Sequence, residues 1–322
     1  LKAEKLLVQW ADDPELACRV ARFYATQGDI VGAIELLEAF LMEHPGSREV
    51  VRGLGLACMD AHRYAAAEQH LQEAIRLGDS SIEMQLALGE TYHQLERYPE
   101  AVDAFQRAID GSASFQAELW QKLAAAQVMS CNYVAAMASF QKLLDVFGEA
   151  KNPSAGGLSL CLTYMGEFER ALRFLDKYLA FSPSDAVLRM QRAQIRLLHE
   201  DYAKGWEDYL YRGLTDAKQF RVLPLPQWDG EPLEGKTIIV LAEQGLGDQV
   251  MFASCLPDLC KLAPKKIYLE VVKRVAPTLA RSSPESEVIP TRQDRKLEWV
   301  SSIKDADCSI PLGDLPFHFR KS

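Results

Sequence analysis

The chain has 322 residues, 48% of them hydrophobic and 25% charged, which fits a globular chain of about two domains able to bury a real core. Its formal charge of −9 is unevenly placed: residues 231–322 carry 13 basic and 13 acidic residues, leaving 23 and 32 in residues 1–230. An acidic chain without a basic stripe argues against binding the backbone of a nucleic acid.

Taken in chain order, residues 1–12 (LKAEKLLVQWAD) fit the second helix of a truncated hairpin. A motif then recurs: GDIVGAIELL (28–37), HRYAAAEQHL (62–71), ERYPEAVDAF (96–105), CNYVAAMASF (131–140) and GEFERALRFL (166–175). Successive starts lie 34 or 35 residues apart, the period of stacked helical hairpins. Small residues recur where two helices must cross closely, as at Gly55 with Ala67 and Gly89 with Ala101, while Leu54, Leu71, Leu88 and Phe105 fill the space around them. On these residues the segment is identified as a tetratricopeptide-repeat array. Its repeats are expected to begin near Pro14, Arg48, Ile82, Ala117 and Asn152, with a sixth, weaker unit over 186–214. The fold expected is an α-solenoid over residues 1–214, its concave face lined by the first helix of each repeat.

The fifth position of each repeat is expected to face that groove. It holds Cys18, Arg52, Leu86, Gln121, Gly156 and Met190. A groove that clamps a C-terminal carboxylate needs repeated Lys, Arg and Asn, and this mixed, partly apolar set does not provide them. A protein or peptide partner contacting Arg52, Leu86, Gln121 and Met190 is expected instead, beside the plainer reading of a scaffold that packs on its own second domain.

Residues 215–235 hold three prolines and several turn signals around Trp228, an ordered linker that needs a surface to pack on. The period then changes. TIIVL (237–241) reads as a strand buried on both faces, and DQVMFASCLPDLCKLA (248–263) as one helix. KKIYLEVV (265–272), SEVIPT and ADCSIPL (306–312) read as three further strands, with a short helix in RVAPTLARSS. Residues 236–322 are therefore expected to form a partial Rossmann-like parallel-sheet domain, ending at PFHFRKS without a closing helix.

Three readings compete for EQGLGDQV (243–250). A dinucleotide fingerprint finds its first two glycines in Gly245 and Gly247 and a ribose-binding acid in Glu270. Val250 stands where the third glycine allows close helix–strand packing. A purely structural turn uses the glycines for a sharp strand-to-helix bend, with Asp248 capping the helix.

The third reading rests on resemblance. WDGEPLEGKTIIVLAEQGLGDQVMF (228–252), GWEDYLYR (205–212) and DCSIPLGDLP (307–316) resemble, in order, segments of bacterial glycosyltransferase-like proteins that follow tetratricopeptide repeats. Their second part is similar to the heptosyltransferases. The resemblance implies the acceptor-side half of a GT-B fold and a nucleotide-sugar donor as substrate. It also implies Asp248 as the general base that takes the acceptor hydroxyl's proton as the nucleotide leaves. The loop residues Glu243, Gln244, Gly245 and Gly247 are then expected to bind the acceptor. A chain holding only this half is expected to be inactive by itself; a non-catalytic adaptor is the alternative.

Seven cysteines without a CxxC pair point to free thiols in a reducing, cytoplasmic setting; Cys18, Cys58, Cys131 and Cys161 fall within helical patterns. The six histidines show no metal-ligand spacing, so neither metal nor cofactor is expected. No apolar run reaches the roughly 20 residues of a membrane span. An opening Leu1 suggests a fragment. The Asp-x-Asp at 305–307 precedes a strand rather than following one and reads as a turn, and RQDRK (292–296) reads as a solvated loop.

Overall fold

The computed structural model describes residues 13–148, 154–215, 221–292 and 297–322. The expected helix within 1–12, the repeat start at Asn152 and most of the 292–296 run lie outside them. The chain divides into two compact units, residues 1–166 and 167–322.

The first unit is built from helical hairpins: α1 (Pro14–Thr26) with α2 (Ile30–Glu43), α3 (Arg48–Asp60) with α4 (Tyr64–Arg76), α5 (Ile82–Gln94) with α6 (Tyr98–Asp110), and α7 (Ala117–Met129) with α8 (Tyr133–Phe147). A further helix, α9 (Ser154–Tyr164), follows. Each helix packs on the next, and α1, α3 and α5 also pack in sequence, which makes a tetratricopeptide-type solenoid. Four first helices begin at the residues the repeat spacing predicts. Within a hairpin the crossing is tight: a Cβ on Gly89 would lie 2.6 Å from the Phe105 ring, itself 1% exposed. Ala67, Ala101, Leu54 and Leu71 are fully buried at corresponding crossings.

The turn inside each hairpin adopts one conformation whatever residue stands there. Gly28, His62, Glu96 and Cys131 all have φ between +56° and +84°. Cys131 is therefore an exposed turn residue, not a helical one as its pattern suggested, while Cys58 and Cys161 are buried. All seven thiols are free.

The second unit begins with helices α10 (Phe168–Phe181), α11 (Ala186–Leu198), α12 (Tyr202–Tyr209) and α13 (Arg212–Thr215). Four strands follow: β1 (Thr237–Leu241), β2 (Lys266–Val272), β3 (Ser286–Thr291) and β4 (Cys308–Pro311). Among them lie α14 (Leu246–Ala253), α15 (Leu256–Cys260) and α16 (Ala276–Ser282). The sheet is parallel throughout, in the order β3-β2-β1-β4. Every residue of β1 is buried, as its unbroken apolar run requires for a central strand covered on both faces. Leu223, Trp228 and Leu233 of the connector are buried in the same unit, and the Trp228 indole N–H donates to the Glu231 carbonyl at 2.7 Å.

Three expectations change. The single helix read over 248–263 is two, α14 and α15, because the chain turns at Ser254–Cys255 ahead of Pro257. The last strand is shorter than 306–312. The chain's end does carry a helix, the five-residue α17 (Leu315–Phe319), with Leu315 buried and the His318 ring tilted against Trp228, centroids 4.6 Å apart.

Candidate functional site

In an open parallel sheet, ligands bind beyond the carboxyl ends of the strands where the strand order reverses. Here that point lies between β1 and β4. The loop after β1 (residues 242–245) and the turn after β4 (Leu312–Asp314) meet there, together with the last turns of the helical segment.

Arg212 of α13 is the hub. Its guanidinium is 3% exposed, pairs with the Glu243 carboxylate, and lies 2.6 Å from Asp314. The Gly313 N–H donates to Glu243 Oε1 at 2.8 Å, and Gln227 Nε2 donates to Asp314 Oδ2 at 3.0 Å. Residue 313 must be glycine, since a Cβ there would lie 2.9 Å from Arg212 Nη2 and closer still to Glu243. Two carboxylates thus share one buried cation. Burial pushes both Glu243 and Asp314 up from their ordinary values, against the pull of Arg212. Burial alone would lower Arg212, but Asp314 and Glu243 outweigh it and raise it. Glu243 Oε2 is buried with no hydrogen-bond partner among the described residues.

The next residues form the mouth of the loop. Gln244 takes a left-handed conformation (φ 59°) and accepts a hydrogen bond from the Tyr209 hydroxyl at 2.9 Å. Tyr209 packs on Phe252 of α14, so the last helices hold the loop by both a ring contact and a hydrogen bond. Gly245 and Gly247 are exposed. Asp248 is not the N-cap: Gly245 is, and Asp248 stands three residues into α14, where Oδ2 accepts from the Gly245 N–H at 2.9 Å. That bond places a carboxylate on the helix N-terminus and leaves little attraction there for an anionic ligand.

The dinucleotide reading fails, but for a different reason than Val250. Val250 is 53% exposed and crowds no strand; Gln249 is the residue turned inward, accepting from the Val272 N–H at 3.1 Å. Glu270 lies inside β2 rather than at its end. It is fully buried, paired with Arg221 at 2.6 Å and bonded by the Thr291 hydroxyl at 2.7 Å, so it has no freedom to hold a ribose.

Arg212, Tyr209 and Asp314 were not singled out from the sequence, although they stand in GWEDYLYR and DCSIPLGDLP. Each segment holds more than one charge, Glu207, Asp208 and Arg212 in the first and Asp307 and Asp314 in the second, and nothing local marks which of them is buried. The third segment, around Glu243, supplies the partner.

The groove residues are dispersed. Cys18 and Leu86 line one groove of about 430 Å³, with Arg22, Leu56 and Glu90. Arg52 stands beside it, paired with Glu83 and 3.8 Å from Asp79. A second groove of about 610 Å³ shares Met59, Asp60 and Glu90 with the first and is also lined by Tyr64 and Lys122. Gln121 is exposed, Gly156 is buried, and Met190 belongs to the second unit. Among the described residues no cluster of His, Cys, Asp or Glu is placed to hold a metal, and no helix is long and apolar enough to cross a membrane.

The tetratricopeptide-repeat family profile matches residues 21–82 and 54–117. Protein FlbA of Caulobacter vibrioides is 29% identical over 309 residues, which is 90% of this chain and 50% of FlbA. The chain therefore spans about half the length of the curated relative it matches. Among solved structures, a tetratricopeptide-repeat protein from Parabacteroides merdae covers 63% of the chain and 79% of its own length at a TM-score of 0.53 and 18% identity. YrrB, described as a TPR protein with an unusual peptide-binding site, covers 58% of the chain and 95% of its own at 0.51 and 17%. These likenesses establish the repeat fold.

Proposed function

We propose that this tetratricopeptide scaffold recruits a protein segment in the grooves of its first unit, and that its second unit is the acceptor-side domain of a glycosyltransferase. One observation carries the enzymatic part. Three segments that resemble glycosyltransferase-like proteins, each from a separate stretch of chain, supply the members of one buried cluster, Arg212, Glu243 and Asp314, at the switch point of a parallel sheet. In this reading Glu243 Oε2 and the Gln244–Gly247 loop receive the acceptor hydroxyl, and Asp248 takes its proton. The grooves beside Cys18, Leu86 and Lys122 suit an extended segment with apolar side chains, and YrrB offers a precedent for peptide binding on this fold.

The test is transfer of sugar from a panel of nucleotide sugars by the natural gene product that contains this chain, followed by mass spectrometry of the modified protein. Asp248→Asn is expected to abolish transfer; transfer at the wild-type rate would remove Asp248 as the base. A specific observation favours a second reading, a non-catalytic adaptor: Asp248 and Glu243 both already bond within the chain. Binding of a protein partner by a gene product that turns over no donor would decide for it.

A further inference from the structure

The hairpin α11–α12 departs from the other repeats at the positions that build their cores. Leu54, Leu88, Leu123 and Leu158 recur at 34- or 35-residue steps and are all buried. The next step falls on Arg192. The series Val51, Gln85, Trp120 and Ala155 reaches Arg189, and the series Cys58, Tyr92, Gln127 and Leu162 reaches Arg196. Three arginines therefore stand on one face of α11 where the other repeats carry a mostly apolar and uncharged stripe.

They converge on Asp208 of α12, whose side chain is 1% exposed. Arg189 Nη1 donates to Oδ1 at 3.0 Å, Arg192 to both oxygens at 2.7 Å, and Arg196 Nη1 to Oδ2 at 2.7 Å. Four N–H donors saturate that carboxylate. Asp176 of α10, 54% exposed, takes Arg192 at 2.6 Å and Arg196 at 3.5 Å. Arg189 is fixed further by the Pro183 carbonyl at 2.5 Å and by the Tyr211 ring, 4.0 Å beneath it. The count is three guanidinium groups to two carboxylates, at only 13–15% exposure of each arginine side chain.

Stability does not account for this arrangement. An apolar core of the kind the other hairpins have is as good as or better than a buried ionic one. What the ionic core provides is an excess positive charge held rigid. Arg189 Nη2 and Arg196 Nε, two turns apart on one helix face, donate to no acceptor among the described residues. Each arginine thus keeps one nitrogen uncommitted while its others are held by Asp208, Asp176 or the Pro183 carbonyl, and two separate charged donors suit a phosphate, which offers acceptors out of one plane, better than a carboxylate, which offers two within a plane.

We infer that Arg189 and Arg196, held in place by Asp208 and with the charge of Arg192 between them, form a binding site for a small phosphorylated molecule. This inference is independent of the glycosyltransferase reading, because the site needs neither Asp248 nor Glu243.

Calorimetric titration of the full chain with inorganic phosphate, pyrophosphate and citrate, against sodium chloride at matched ionic strength, tests it. Pyrophosphate is expected to bind saturably and more tightly than citrate. Arg196→Gln is expected to weaken it at least about tenfold, with circular dichroism checking the fold. Asp176→Asn, a change at an exposed residue that removes a competing carboxylate, is expected to tighten it about threefold. A purely structural cluster would not show that gain. Absence of saturable binding by the wild type, citrate binding as tightly as pyrophosphate, or an Asp176→Asn chain with unchanged affinity would each overturn the assignment. None of these three results depends on whether Arg196→Gln folds.

Discussion

Arg212 lies 2.6 Å from Asp314, so a residue at the end of the helical segment and one just beyond the last strand are locked together at the carboxyl edge of the sheet. Arg212 also grips Glu243 at the end of β1, and the α/β part of the second unit is thereby joined to its helices through a charge cluster as well as through rings such as Trp206 and Phe252. Such a joint responds to pH in a way an apolar one does not.

Glu243 holds its proton more tightly folded than unfolded, because burial disfavours the carboxylate. The stability this provides is complete below the ordinary value of 4.5 and is lost as pH rises through the raised folded value. Asp314 acts in the same direction from its ordinary 3.8. Urea unfolding of the chain across pH 4 to 8, followed by Trp206 and Trp228 fluorescence, should show this contribution declining as pH rises. Glu243→Gln, neutral at every pH, should flatten that slope.

Asp208 should be among the most sensitive positions in the second unit. Asp208→Ala leaves three poorly solvated arginines facing one another and should cost about 3–5 kcal/mol in denaturant unfolding. Arg192→Leu restores the residue type of the other repeats and leaves Asp208 with two arginines. It should cost under about 1 kcal/mol, although it removes three hydrogen bonds against the four lost in Asp208→Ala.

Glu96 occupies a left-handed turn with φ 59°, a conformation that costs a residue with a Cβ about 1–2 kcal/mol. Glycine removes that cost but is freer in the unfolded chain by about 0.4–1 kcal/mol. Glu96→Gly should therefore raise stability by about 0.5–1 kcal/mol, read as a shift of the thermal midpoint. Glu96→Val at the same place should lower it.

At the helix crossing, Gly89→Ala sets propensity against packing. Alanine favours a helix by about 0.8–1 kcal/mol over glycine, but overpacking against the buried Phe105 costs about 1–3 kcal/mol. A net loss of stability is expected. Combining it with Phe105→Leu should recover part of that loss, a coupling that a double-mutant cycle would measure.

Periodic features were legible because they repeat. Helix starts at Pro14, Arg48, Ile82 and Ala117 follow from spacing, and the strand over 237–241 follows from an unbroken β-branched and apolar run. The helix break at Ser254–Cys255 and the turn at Cys131 were not, since in each the local pattern continues as helix while backbone geometry ends it. In the candidate site, the loop 243–248 stood out by its glycines. Its partners Arg212 and Asp314 did not, because nothing local marks a charge as buried.

What the residue order alone decided is the architecture: a 34-residue period with small residues at each crossing admits stacked hairpins, and a continuous apolar strand admits a doubly covered parallel sheet. What only the tertiary structure decided is the pairing of charges. Glu243, Glu270 and Asp248 are all carboxylates near the same sheet edge. Burial and geometry give the first to Arg212, the second to Arg221 and the third to a backbone N–H. Ionic pairing depends on distance and desolvation, and both are set by residues far away in the chain.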